Sequence, residues 1–152
     1  MQHTNLKKDL FRFCQNFVEQ RVSRIKSNIA DVQESLTSET KNSSGDKHET
    51  GRAMLQIDLE NLGQQLGEAE ALRKKLEHVP TATSTEVVGS GCLVKTTKAS
   101  YYLAISAGEY KAENGSVFCI SPATPIGQLL FGKAVNETIE FNGSPIKILE
   151  II

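Results

Sequence analysis

Along the first quarter of the chain apolar residues recur at Phe11, Cys14, Val18, Val22, Ile25, Ile29, Val32 and Leu36, in steps of three and four. That spacing lays one stripe along an α-helix. No Gly or Pro interrupts residues 6–40, so the pattern predicts a continuous helix of roughly 50 Å at 1.5 Å per residue. A second, shorter stripe, Leu6, Leu10, Phe13 and Phe17, widens the apolar face at the N-terminal end; one of its rings is expected to pack against the domain that follows. Residues 38–51, S-E-T-K-N-S-S-G-D-K-H-E-T-G, hold no large apolar side chain and read as a turn. Leu55, Leu59, Leu62, Leu66, Ala69, Leu72 and Leu76 then form a second stripe that ends before Pro80. Two such stripes around a polar turn bury themselves best against each other. Helices over 6–40 and 52–78 are therefore expected to form an antiparallel coiled-coil hairpin, with residues 45–49 at its far end. Gly63 and Gly67 weaken the second helix by about 1 kcal/mol each; they would permit close helix approach, which the sequence alone does not decide.

The pattern changes after residue 80. P-T-A-T-S-T-E, residues 80–86, reads as a polar linker. Short runs follow at 91–95, 101–105, 117–120, 138–141 and 146–149, each with strand character. Asn142-Gly143 between the last two is a hairpin turn signal. Thr124-Pro125 starts a short helix as N-cap and N1, and Gly132 ends it. The spacing of Ile126, Leu129 and Leu130 places at least two of the three in the core. The expected fold class is α+β: a hairpin over 1–80 and a small antiparallel β domain of about five strands over 81–152, near the lower size limit for an independent core.

Composition narrows the function. The chain has 152 residues, 17 Lys+Arg against 18 Asp+Glu, and a formal net charge of −1. Basic and acidic residues number 12 and 12 in the first 80 residues and 5 and 6 in the rest, which disfavours a general nucleic-acid binder. No run approaches the ~18 apolar residues of a membrane span, and Met1–Asp9 has no apolar signal core, so a cytoplasmic protein without membrane attachment is expected. Cys14, Cys92 and Cys119 are too widely spaced for a C-x-x-C motif and read as buried thiols. His3, His48 and His78 fit no metal or triad spacing, and no Gly-rich phosphate loop follows a strand. The chain is thus not expected to be an enzyme or to hold a cofactor of its own.

One constellation carries chemistry. In Gly45-Asp46-Lys47-His48-Glu49 the two carboxylates are three residues apart; a second helix that starts at Asp46 would place them on one face. Such a pair can share a divalent cation. It is also close to a capping box, with Asp46 as N-cap and Glu49 reaching back; the two roles are compatible.

This tip, together with Ile120-Ser121-Pro122-Ala123-Thr124-Pro125-Ile126-Gly127-Gln128-Leu129-Leu130-Phe131-Gly132-Lys133, resembles the Gre family of bacterial transcript-cleavage factors. That family has a coiled coil with a G-D-x-x-E-N-A-x-Y-like tip and an FKBP-like C-terminal domain carrying an I-S-x-x-S-P-I-x-x-x-L-x-G-K run. The resemblance covers nearly the whole chain in the same order. It implies a monomer that binds bacterial RNA polymerase, with the coiled coil in the secondary channel. Asp46 and Glu49 would help hold the second, loosely bound Mg²⁺ of the polymerase active centre, acting on a backtracked RNA 3′ end only indirectly. Ser121, Pro122, Pro125, Ile126 and Lys133 would belong to the docking segment of the β domain. After Glu49 the sequence departs from the family, with Thr50-Gly51-Arg52 where Asn, small and acidic residues are common. A Gre-like channel binder that does not activate cleavage, and a coiled-coil scaffold with no catalytic consequence, are the alternatives. Prolyl isomerisation is not expected, since a fold does not carry its function with it.

Overall fold

The computed structural model describes residues 2–41 and 46–152, and the side chains of these apart from residues 2–4, 40, 41 and 46–48. The chain divides into two compact units: residues 18–74, and the residues up to Phe17 together with Lys75–Ile152.

The first of these is a helical hairpin. Helix α1 spans Gln2–Lys41 and α2 spans Asp46–Glu77, and the stretches inside the unit pair along the expected stripes. Val18, Val22, Ile25 and Ala69 are buried, while Ile29, Val32, Leu36, Leu55, Leu59, Leu62 and Leu66 are half-buried. A two-helix seam leaves each stripe only one neighbour, so burial thins towards the turn. Two contacts establish the direction. Arg73 donates two hydrogen bonds to the Glu19 carboxylate, at 2.8 and 2.9 Å. At the other end a Cβ on Gly51 would lie 3.7 Å from the Glu39 carboxyl. Residue 19 thus faces 73 and residue 39 faces 51, an antiparallel register.

Helix α2 begins at Asp46, six residues before the expected start. Residues 46–54 lack the apolar period that marks a helix, yet adding a residue to a formed helix costs little once its nucleus exists. Gly63 and Gly67 do not serve close approach of the helices: a Cβ at either would have no described atom of α1 within 4 Å.

The second unit is a six-stranded sheet, β1 (Leu93–Thr96), β2 (Ser100–Leu103), β3 (Gly108–Ala112), β4 (Gly115–Ile120), β5 (Thr138–Phe141) and β6 (Ser144–Ile151), with one short helix, α3 (Pro125–Leu130). The sheet order is β3-β4-β2-β1-β6-β5. Two features differ from the sequence reading. Strand β3 is an additional edge strand, and β2 pairs with β4 in parallel, Tyr102 opposite Cys119; the other pairings are antiparallel. The parallel pair follows from β3, which takes the chain to the sheet edge and lets β4 return between β3 and β2. The Asn142-Gly143 turn is as expected: both residues have positive φ, 52° and 79°, and Phe141 pairs with Ser144 across a two-residue loop.

One sheet face builds a core from Val94, Tyr101, Leu103, Ile139, Ile146 and Ile148, with Ile126 and Leu130 of α3 packed onto it. The strand period of two sends Leu93, Tyr102 and Cys119 to the opposite face. There the first turns of α1 bring Leu10 and Cys14, both fully buried, and Phe13 meets Tyr110 edge-on at 5.3 Å between ring centres. The expected ring contact between α1 and the β domain is therefore present.

Residues 80–86 are not the free linker that their composition suggests. Lys7 Nζ donates to Thr83 Oγ1 at 2.7 Å and to the Ile152 main-chain oxygen at 3.3 Å, and Cys92 Sγ donates to the Ser84 carbonyl at 3.5 Å. Gly91, at φ 86°, lets the strand pass so close to Pro80 that a Cβ would collide with the Pro80 carbonyl oxygen.

Candidate functional site

The polar tip of the hairpin is the first candidate. Asp46 heads α2, and a first-turn carboxylate is favoured there by the positive end of the helix dipole. Glu49 follows one turn later on the same face and is exposed, as are Thr50 and Arg52. Gly45 and the Asp46 side chain lie outside the described residues. Among the described residues no three His, Cys, Asp or Glu side chains gather into a metal site. A pair of carboxylates on one helical turn suits Mg²⁺, which takes one or two protein carboxylates and keeps several waters. Such a pair can complete a site whose remaining ligands come from elsewhere. Arg52 stands three residues beyond Glu49, on the neighbouring part of the same face.

The second candidate is the segment from Ser121 to Lys133, and local packing accounts for much of its motif. Thr124 caps α3, its Oγ1 accepting from Gly127 N at 3.2 Å and donating to the Ser121 carbonyl at 2.7 Å. Ser121 Oγ accepts from Ala123 N at 3.1 Å. Gly127 is buried where a Cβ would strike the Ser121 carbonyl oxygen, Thr124 Oγ1 and Pro122 Cα. Ile126, 9% exposed, belongs to the core. Lys133 is half-buried, and its main-chain oxygen accepts from Val88 N at 2.8 Å. Gly132 ends α3 at φ 82°, in keeping with its expected role. Pro125 faces outward, while Ser121 and Pro122 are half-exposed.

Several outward residues gave no signal in the sequence. Leu129 is exposed although Ile126 and Leu130 are core, and Phe131 (51% exposed), Val87 and Val135 are exposed as well. Val87 pairs with Ala134, which brings the backbone before β1 next to the segment that follows α3. On α2, Met54 and Ile57 are also exposed apolar residues, one helical turn apart. An apolar residue off the stripe looks like any other in a periodicity count, so only the fold separates these from the core.

The three thiols are buried. Cys119 is pushed far above the ordinary thiol value by its hydrogen bond to Cys14 and by burial. Burial, and then the neighbouring Cys14 and Cys119, raise Tyr102 well above 10.0. Cys14 shifts the other way, lowered by its hydrogen bond to Cys119 against the effect of burial; both thiols are shut away from solvent, which makes them poor nucleophiles. No described helix is long and apolar enough to cross a membrane.

No protein-family profile matches this chain, and no curated protein matches it. Among solved structures, that of the transcription factor Gfh1 is similar at 18% identity, covering 88% of this chain and 90% of that one, with a TM-score of 0.35. At that score the likeness carries neither fold nor function over to this chain.

Proposed function

We propose that this chain is a transcription elongation factor that binds bacterial RNA polymerase and places its hairpin tip in the secondary channel. There Asp46 and Glu49 supply carboxylates to the second active-site Mg²⁺ and stimulate cleavage of backtracked RNA. The observation that carries the reading is the hairpin itself. From Val18 to Lys41, α1 extends about 36 Å, paired with an antiparallel α2 that opens with two acids one helical turn apart, in a stretch of sequence with no large apolar side chain. The resemblance of the tip and of the Ser121–Lys133 run to the Gre family supports the same reading. In this mechanism the polymerase remains the catalyst. The chain's own residues bring negative charge to a metal that stabilises the attacking and leaving oxygens of an in-line displacement.

The test is RNA cleavage in a backtracked complex, with polymerase binding measured separately. Asp46→Ala and Glu49→Ala should stay folded and bound but lose stimulation, with partial rescue as Mg²⁺ rises, because occupancy is then driven by mass action. A specific observation favours one alternative: Arg52 sets a cation beside Glu49 and weakens the pull of the tip on a metal. If the wild type binds but does not accelerate cleavage, the chain is a non-activating channel binder. If it does not bind polymerase, the scaffold reading replaces both.

A further inference from the structure

A cavity of about 610 Å³ is lined by the first turns of α1, by Pro80 to Thr83 and Thr85, and by Tyr102 and Ile152. Its volume is within the range that admits a whole small molecule. The helical period explains what lines it. Lys7, Phe11 and Gln15 follow one another at steps of four, and Lys8 and Arg12 run parallel one residue on. Asp9, the acid in this stretch, lines a different cavity with Asn5 and Leu6. The described residues around the first cavity therefore include three cations and no acidic side chain, with the half-buried ring of Phe11 and the apolar surface of Pro80 and Ala82 beside them.

The cations are not equivalent. Lys7 is a strut: Thr83 Oγ1 and the Ile152 oxygen take two of its three donors, and burial lowers its pKa. Lys8 and Arg12 are exposed, one turn apart at the rim, and neither has an acidic partner among the described residues. An apolar surface beside an uncompensated pair of cations complements one class of ligand. The charged head meets the cations while the body covers Phe11, Pro80 and Ala82.

We propose that this cavity binds a small organic anion, a phosphate monoester or carboxylate on a planar apolar body, with Lys8 and Arg12 holding the anionic group and Phe11 contacting the ring. The site is separate from the hairpin tip, and its test does not require polymerase. The full chain is titrated with 1-naphthyl phosphate, 1-naphthoate, 1-naphthol and inorganic phosphate, followed by amide chemical shifts and calorimetry. One of the two naphthyl anions should bind saturably, shifting the amides of Phe11, Thr83 and Tyr102. Which of them binds more tightly tells phosphate from carboxylate. Naphthol and inorganic phosphate should each bind at least tenfold more weakly, and raised salt should weaken the anion.

The Lys8→Ala/Arg12→Ala double variant leaves the Lys7 strut intact and should lose at least tenfold in affinity. Ala82→Trp, which fills the cavity from its outer wall, should abolish binding while far-UV circular dichroism is unchanged. Equal binding of naphthol would reduce the site to an apolar surface, and equal binding of inorganic phosphate to an unspecific cation pair. Absence of saturable shifts, or binding that survives Ala82→Trp, would also overturn the proposal.

Discussion

Replacing Gly63 and Gly67 by Ala should stabilise the hairpin. Both lie inside α2, where glycine costs about 0.5–1 kcal/mol relative to alanine because the unfolded chain has more freedom to lose. An added methyl meets no packing partner, since no described atom beyond the chain neighbours and the helix's own backbone lies within 4 Å of a Cβ at either position. No steric cost offsets the gain, and the double variant should gain about 1–2 kcal/mol. For a cooperative unit of this size, 1 kcal/mol moves Tm by about 4–8 °C, so the double variant should melt about 4–16 °C higher by ellipticity at 222 nm. Gly51→Ala is an internal control. Its Cβ would sit in ordinary contact with the Glu39 carboxyl at 3.7 Å, close to the turn, so its gain should be the smaller. A Tm that is unchanged or lower in the double variant would refute the reasoning, because it would mean that this face of α2 is covered. If the variant is stabilised yet binds polymerase less well, the glycines serve partner approach, at the expense of stability.

Gly127→Ala should lower stability by about 1–3 kcal/mol, the usual range for overpacking, because its Cβ would strike the Ser121 carbonyl and Pro122; chemical denaturation measures it. The pH dependence should come in part from Tyr102. Its pKa is raised above 10.0 by burial and then by the two thiols, so above pH 10 the unfolded chain releases a proton that the folded one keeps. Stability therefore falls with rising pH, by up to about 1.4 kcal/mol per unit from this residue, and Tyr102→Phe should flatten the slope in denaturation curves between pH 9 and 11.

What the sequence made legible, and what it hid, follow from how local each signal is. The two helical stripes, the Asn142-Gly143 turn and the Thr124-Pro125 cap are short-range patterns, and each element formed where its pattern lies. Strand β3 is G-E-Y-K-A, with one large apolar residue, because an edge strand with its side chains largely in solvent needs no alternation. The parallel pairing of β2 with β4 could not be read at all, since alternation marks a strand without naming its partner. The tethering of residues 80–86 depends on Lys7, Cys92 and Gly91, remote or aperiodic positions whose partners only the fold supplies.

The Ser121–Lys133 motif shows the same limit at the level of function. A run of matching residues reads as one docking signal, yet its members do different work. Ile126, Gly127 and Thr124 are accounted for by packing and capping within the chain, so their presence follows from the local fold whether or not anything docks there. What is left to meet a partner is the outward set, Pro125, Leu129 and Phe131. A large apolar residue on the surface costs solubility without helping the fold, which makes Leu129 and Phe131 informative. Leu129→Ser/Phe131→Ser should lower Tm by no more than about 4–8 °C, because both side chains are exposed and two surface changes of up to about 0.5 kcal/mol each sum to about 1 kcal/mol. If the segment docks, the same variant should weaken polymerase binding by at least tenfold in a co-sedimentation or calorimetric assay, since exposed apolar anchors dominate such contacts. Ile126→Ala is the converse: it should cost about 2–5 kcal/mol of stability and affect binding only through unfolding. Full binding by the Leu129→Ser/Phe131→Ser variant would remove the segment from the interface and leave its motif as a folding signal alone.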